Sequence, residues 1–183
     1  MAMISEHGPA WTYIDYHQFF LTEPEQLDFV AEEVGDLISA TGESVIVHTG
    51  IANGHVAVHV QVHDDEPPLD EAGWEEIAEA AVQVENGPLM VRCLMEDAPD
   101  LPALTSGPGD YRVRAHARGR GIAYDACVHR SQEVYLFQVW PAPYLPLHVL
   151  EHTDHEQQRP APQPCGAACA RPARGRLFRA RPT

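Results

Sequence analysis

The sequence predicts an all-β, mainly antiparallel fold: a β-sandwich of about seven or eight strands with one short helix, followed by a disordered C-terminal tail. Three observations predict it. Residues 55–63 alternate strictly, with valine at every even position and small or polar residues at every odd one. That is the period of a strand with one buried and one wet face. Short β-rich runs recur along the chain, separated by Asn-Gly, Gly-Asp and Pro-rich breaks. Such spacing suits a sandwich, with a closed barrel as the alternative. Near residue 150 the composition then changes abruptly.

Residues 11–21 (WTYIDYHQFFL) are dense in aromatic and β-favouring side chains and read as the first strand. Thr22-Glu23-Pro24-Glu25 has the form of a capping box with Pro in the first turn. Leu27, Val30, Val34 and Leu37 follow at spacings of three and four, which predicts a short amphipathic helix ending near Gly35. Residues 44–49 (SVIVHT) and 55–63 flank Asn53-Gly54, a strong short hairpin signal. A two-residue turn there sets Val47 opposite Val60, Val45 opposite Val62, and His48 facing His59 on the wet side. Residues 74–77 read as either helix or strand, with strand from about Ala78; Asn86-Gly87 then leads residues 78–84 into 89–95 as a second hairpin. Residues 97–108 read as a loop. Gly109-Asp110 opens a strand with Tyr111, Val113, Ala115 and Ala117 on one face and Arg112, Arg114, His116 and Arg118 on the other. Residues 122–128 read as a short strand, and 133–140 (EVYLFQVW) as a strong one closed by Pro141 and Pro143.

The chain carries 27 acids and 12 cations for a net charge of -15, and every cation is arginine. The charge is unevenly spread. Residues 1–150 hold 24 acids against six arginines, or -18; residues 151–183 hold three acids against six arginines, or +3. The expected organisation is therefore an acidic β-sandwich domain over 1–150 and an Arg/Pro/Ala-rich tail over 151–183. The tail has too few large apolar residues to order itself. It reads either as a basic arm or as a frameshifted or non-native extension. A body this negative repels nucleic acid and anionic lipid, whose capture depends on Lys and Arg meeting phosphate. The expected partner is a basic protein, with no direct nucleic acid and no membrane. The first ten residues lack a basic and then apolar leader pattern, and Cys93 and Cys127 read as reduced thiols, so the expected compartment is the cytoplasm.

No pattern points to catalysis. The chain lacks a Gly-x-Ser-x-Gly elbow, a His-Glu-x-x-His helix and a phosphate-binding Gly-x-x-x-x-Gly-Lys loop. His48, His55, His59 and His63 crowd one predicted hairpin, but strand residues four apart are separated by ~13 Å. They cannot share an ion whose Zn–N bonds are ~2 Å. Only the cross-strand pair His48 and His59 is a metal candidate, and no metal or other cofactor is expected. His152, His155, Cys165 and Cys169 resemble ligands in spacing alone. The arginine row of residues 112–118 is expected to form ion pairs with neighbouring acidic strands or to be solvated. Asp64, Asp65, Glu66, Asp70, Glu71, Glu75 and Glu76 form the densest run of one sign. It lies around Pro67-Pro68 with no EF-hand spacing. These seven are the expected contact for a basic partner.

Tyr16-His17-Gln18-Phe19, Glu33-Val34-Gly35 with Ala40, Glu85-Asn86-Gly87 and Gly109-Asp110-Tyr111 occur in this order over residues 11–140. In that ordered set the sequence resembles the competence protein J family of nuclease inhibitors. The resemblance implies a compact β-rich protein that binds and inhibits a nuclease. A nuclease surface must attract phosphate, so an acidic protein can occupy it as a nucleic-acid mimic. The expected function is thus a small acidic inhibitor of a nuclease or toxin, not an enzyme. The alternatives are a metal-assisted enzyme built on the histidine-rich hairpin and a non-inhibitory scaffold.

Overall fold

The computed structural model describes residues 2–24, 30–95 and 99–152. Among them there are ten strands and no helix: β1 (Met3–Asp15), β2 (Gln18–Thr22), β3 (Ile38–Ala40), β4 (Val45–His48), β5 (Asn53–His63), β6 (Glu76–Val84), β7 (Met90–Arg92), β8 (Gly109–Arg118), β9 (Cys127–Pro141) and β10 (His148–Glu151). The all-β, mostly antiparallel expectation holds. The architecture is one continuous sheet rather than two, in the order β10-β6-β8-β9-β5-β1-β2-β4-β3, with β7 paired to β2. The sheet wraps around a single core, and its two flanks meet where the Gln83 N–H donates to the Gly42 carbonyl at 2.7 Å.

Several local expectations fail for identifiable reasons. The apolar spacing of residues 27–37 does not mark a buried helix face. Residues 25–29 lie outside the described set, Val30 and Val34 are exposed, and only Leu37 is buried. Residues 11–21 are not one strand. Tyr16 and His17 both take left-handed backbone (φ 53° and 61°) between the paired residues Asp15 and Gln18. That is a two-residue turn of the type that normally selects Asn-Gly, so the hairpin sits here and not at residues 53–54.

Asn53 and Gly54 instead begin β5, pairing with Asp15 and Ile14 of β1, while the other edge of β5 runs parallel to β9. β4 pairs with β2 and β3, so His48 does not face His59 and the predicted valine register does not form. Gly54 is required by close packing: a Cβ there would lie 1.9 Å from the Val128 carbonyl oxygen of β9. The second predicted hairpin fails likewise. β6 pairs with β8 and β10, and β7 with β2. Residues 122–125 are turn, and β9 runs unbroken from Cys127 to Pro141.

The alternation of β5 does hold where it matters. Val56, Val58 and Val60 are fully buried in the core with Phe19, Tyr135 and Phe137. Strand β6 begins at Glu76, two residues before the expected start. β10 adds an edge strand through residue 151, and the 153–183 segment lies outside the described residues.

Candidate functional site

The acidic run over residues 64–76 leaves the end of β5 and crosses the outer face of β8 before entering β6. It follows from the sequence that the outward row of β8 should be polar. What the fold adds is a cover for it. Arg112, Arg114 and His116 are all nearly inaccessible, as are Val113 and Ala115 on the opposite face.

Buried guanidinium groups need fixed acceptors, and a planar fork satisfies several at once. Glu79 of β6 supplies one carboxylate oxygen to Arg114 Nε at 2.6 Å and the other to Arg112 Nε at 3.1 Å. Arg114 also donates to the Pro67 carbonyl at 2.9 Å and pairs with Glu66 at 3.1 Å. Arg112 donates to the carbonyls of Leu145 (2.6 Å) and Pro146 (3.1 Å). The basic row is therefore a set of rivets. It fastens two irregular segments, 64–75 and 142–147, across the sheet.

Aromatic contacts complete the seal. Trp74 packs on the His116 ring at 5.3 Å between centroids, and Arg118 lies over Trp74 at 5.3 Å. Burial, with the nearby Arg114 charge adding to it, pushes the His116 pKa down to about 4, although the Leu136 backbone partly opposes the shift.

The seven predicted contact residues divide under this arrangement. Asp64, Asp65, Asp70 and Glu71 are exposed. Asp64 accepts the Ala2 N–H at 2.5 Å, and that bond holds its carboxyl below the usual range. Glu66 keeps an exposed carboxylate while pairing with Arg114. Glu75 is half-buried and accepts the Gly119 N–H at 2.8 Å. Glu76 turns inward at 1% exposure and pairs with Arg120, so it cannot belong to an exposed contact face.

Glu76 belongs to a second group that sequence reasoning missed. Glu133 of β9 is fully buried and accepts the N–H groups of Gly50 (3.1 Å) and Ile51 (2.8 Å) and the Tyr135 hydroxyl (2.6 Å). Arg120, bound to Glu76, also donates to the Asp36 carbonyl at 2.9 Å. Burial raises the pKa of Glu133, and raises that of Tyr135 well above the ordinary phenol value. A signal existed in the sequence. Glu133 shares its strand parity with Tyr135, Phe137 and Val139, all core residues, so it stood on an apolar face.

The histidines are dispersed. His48 contacts Ser39 Oγ at 2.8 Å, His55 the His129 carbonyl at 3.0 Å, and His63 the Gln61 side chain at 3.4 Å. Among the described residues no group of three His, Cys, Asp or Glu side chains could hold a metal ion. Cys93 is buried and Cys127 half-buried, neither in a disulfide. His155, Cys165 and Cys169 lie outside the described residues.

Two solved structures are similar to this chain. One is the crocagin biosynthetic gene J protein, with TM-score 0.52, 14% identity, and coverage of 76% of this chain and 100% of that one. The chain shares its fold. The other is ComJ from Bacillus subtilis, inhibitor of the DNA-degrading activity of NucA, with TM-score 0.49, 14% identity, and coverage of 77% and 98%. ComJ is of the family that the ordered sequence patches resemble. At 14% identity the likeness to the crocagin gene J protein reaches the fold and stops there. No family model matches the chain, and no curated protein matches it.

Proposed function

We propose that this chain is a small acidic binding protein that inhibits a nuclease or toxin by occupying its basic nucleic-acid-binding surface. The observation that carries the proposal is the strap over residues 64–75. Four exposed carboxylates, on Asp64, Asp65, Asp70 and Glu71, project from a segment whose underside is fastened by Arg114 and Trp74. A charged surface held in place loses little freedom on binding, and its field steers a basic partner and raises the association rate. The ordered patches over residues 11–140 support the same reading through the family they resemble.

In this reading the chain works by contact, not by catalysis. Its partner is a basic protein met in the cytoplasm, and it touches neither nucleic acid nor membrane directly.

The test is an activity assay of a nuclease encoded beside this protein, with and without it, at low salt. Inhibition that weakens as salt rises, and falls at least tenfold in Asp65→Asn/Asp70→Asn/Glu71→Gln, is the expected outcome. Absence of both binding and inhibition at micromolar concentration would sink the proposal.

A further inference from the structure

A cavity of about 210 Å³ opens at the edge of the acidic strap. Its floor comes from strand ends and one loop: Val62 and His63 of β5, Leu104, Tyr111 of β8, and Val139 and Trp140 of β9. Ile4, 65% exposed, stands at its rim. The strap and the cavity are continuous. His63 lines the cavity and is followed at once by Asp64 and Asp65, and the Arg114 guanidinium that holds Pro67 lies 5.0 Å from the centre of the Trp140 ring.

The wall is also incompletely satisfied. Gln61 Nε2 donates to the Glu6 carboxylate at 3.0 Å, which turns Gln61 Oε1 toward Gln138 Nε2 (2.8 Å) and His63 Nε2 (3.4 Å). The His63 ring proton therefore belongs on Nε2. Nδ1 is left as a buried acceptor with no donor among the described residues. Every contact with this carbonyl oxygen requires a donor, so the assignment follows from the network.

Apolar walls ending beside carboxylates reproduce the usual build of a protein interface: a desolvated anchor pocket with a charged rim. The volume suits one side chain. The Tyr111 ring on its core side favours an aromatic one, since aromatic rings stack or meet edge to face. We infer that this cavity receives an aromatic side chain projecting from the basic partner, with Asp64 and Asp65 meeting the cations that flank it. The inference rests on the proposed function and names the anchor of the same interface.

Two short peptides serve as probes, acetyl-Arg-Arg-Trp-Arg-Arg-amide and the same peptide with Ala at its centre, titrated calorimetrically into the full chain at low salt. The Trp peptide is expected to bind at least tenfold more tightly. Ala103→Trp and Ser106→Trp, at exposed positions lining the cavity, should each erase that advantage and leave the Ala peptide unchanged, with thermal melting confirming the fold. Neutralising the strap should weaken both peptides alike. Equal affinity of the two peptides, absence of binding by both, or an advantage that survives both filling variants overturns the inference. The nuclease assay separates this inference from the proposed function: inhibition without a Trp advantage keeps the inhibitor reading and discards the pocket. A Trp advantage with no nuclease inhibited does the reverse.

Discussion

The two ends of the β1/β5 pair use charge in opposite ways. At the end carrying the Tyr16-His17 turn, charge points inward and locks the chain. Tyr16, His17 and Asp125 all hold left-handed backbone, which non-glycine residues adopt only where the surroundings impose it. The surroundings are visible. His17 Nε2 meets Asp125 at 3.0 Å, the Thr49 N–H donates to the His17 carbonyl at 2.8 Å, and the Asp125 N–H donates to the Gly50 carbonyl at 2.8 Å. Beneath them Glu133 takes the N–H groups of Gly50 and Ile51. Gly50 admits no side chain, because a Cβ would lie 1.9 Å from the Arg120 carbonyl oxygen. At the strap end, arginines are buried so that acids can face out, and a cavity remains open beside them. One end commits its carboxylates to the fold, whereas the other leaves Asp64, Asp65, Asp70 and Glu71 exposed to solvent.

The sharpest way to break this contrast is Glu133→Ala. It strands two buried N–H groups and removes a counter-charge near Arg120, for an expected loss of about 3–5 kcal/mol in urea unfolding. A loss under about 1 kcal/mol would mean that the locked end is not locked by charge.

The next effect in size is pH dependence at the riveted face. His116 is held near pKa 4 by burial, against 6.5 in the unfolded chain. Its contribution is therefore complete above about pH 6.5 and drains as pH falls toward 4, because the unfolded chain takes up a proton that the native one refuses. The gap corresponds to roughly 3 kcal/mol at most. Burial lowers the pKa values of His48 and His63 in the same direction. Unfolding free energies measured from pH 7.5 to 4.5 should fall, and His116→Gln should flatten the decline. An unchanged slope in that variant would show that Trp74 does not seal the ring.

The smallest structural effect belongs to the strap. Asp65→Asn/Asp70→Asn/Glu71→Gln should shift the melting temperature by no more than about 2 °C, as exposed substitutions usually do. A large drop would place these carboxylates among the structural ones and erase the distinction between the ends.

Part of this molecule was legible before folding. The valines of β5 announced a half-buried strand because period two is a property of the backbone, independent of what the strand meets. The two arginine and apolar faces of β8 were visible for the same reason, and so was the concentration of acid at residues 64–76. Strand pairing was not legible. Asn53-Gly54 looks like a hairpin turn in isolation, yet its glycine serves the approach of Val128, which is distant in sequence. The Tyr16-His17 turn carries no local glycine or asparagine at all, because contacts from residues 49–52 and 125 impose its geometry.

The candidate site shows the same division. That the run would be acidic was written in the chain; that Glu76 turns inward while Asp70 and Glu71 face solvent was not. The sequence by itself determined an all-β chain with a strongly acidic body, since alternation and net charge are carried by the residues themselves. Tertiary structure alone decided which charges became rivets and which were left exposed. A carboxylate's role depends on whether a guanidinium or a backbone N–H from elsewhere in the chain reaches it, and only folding brings them together.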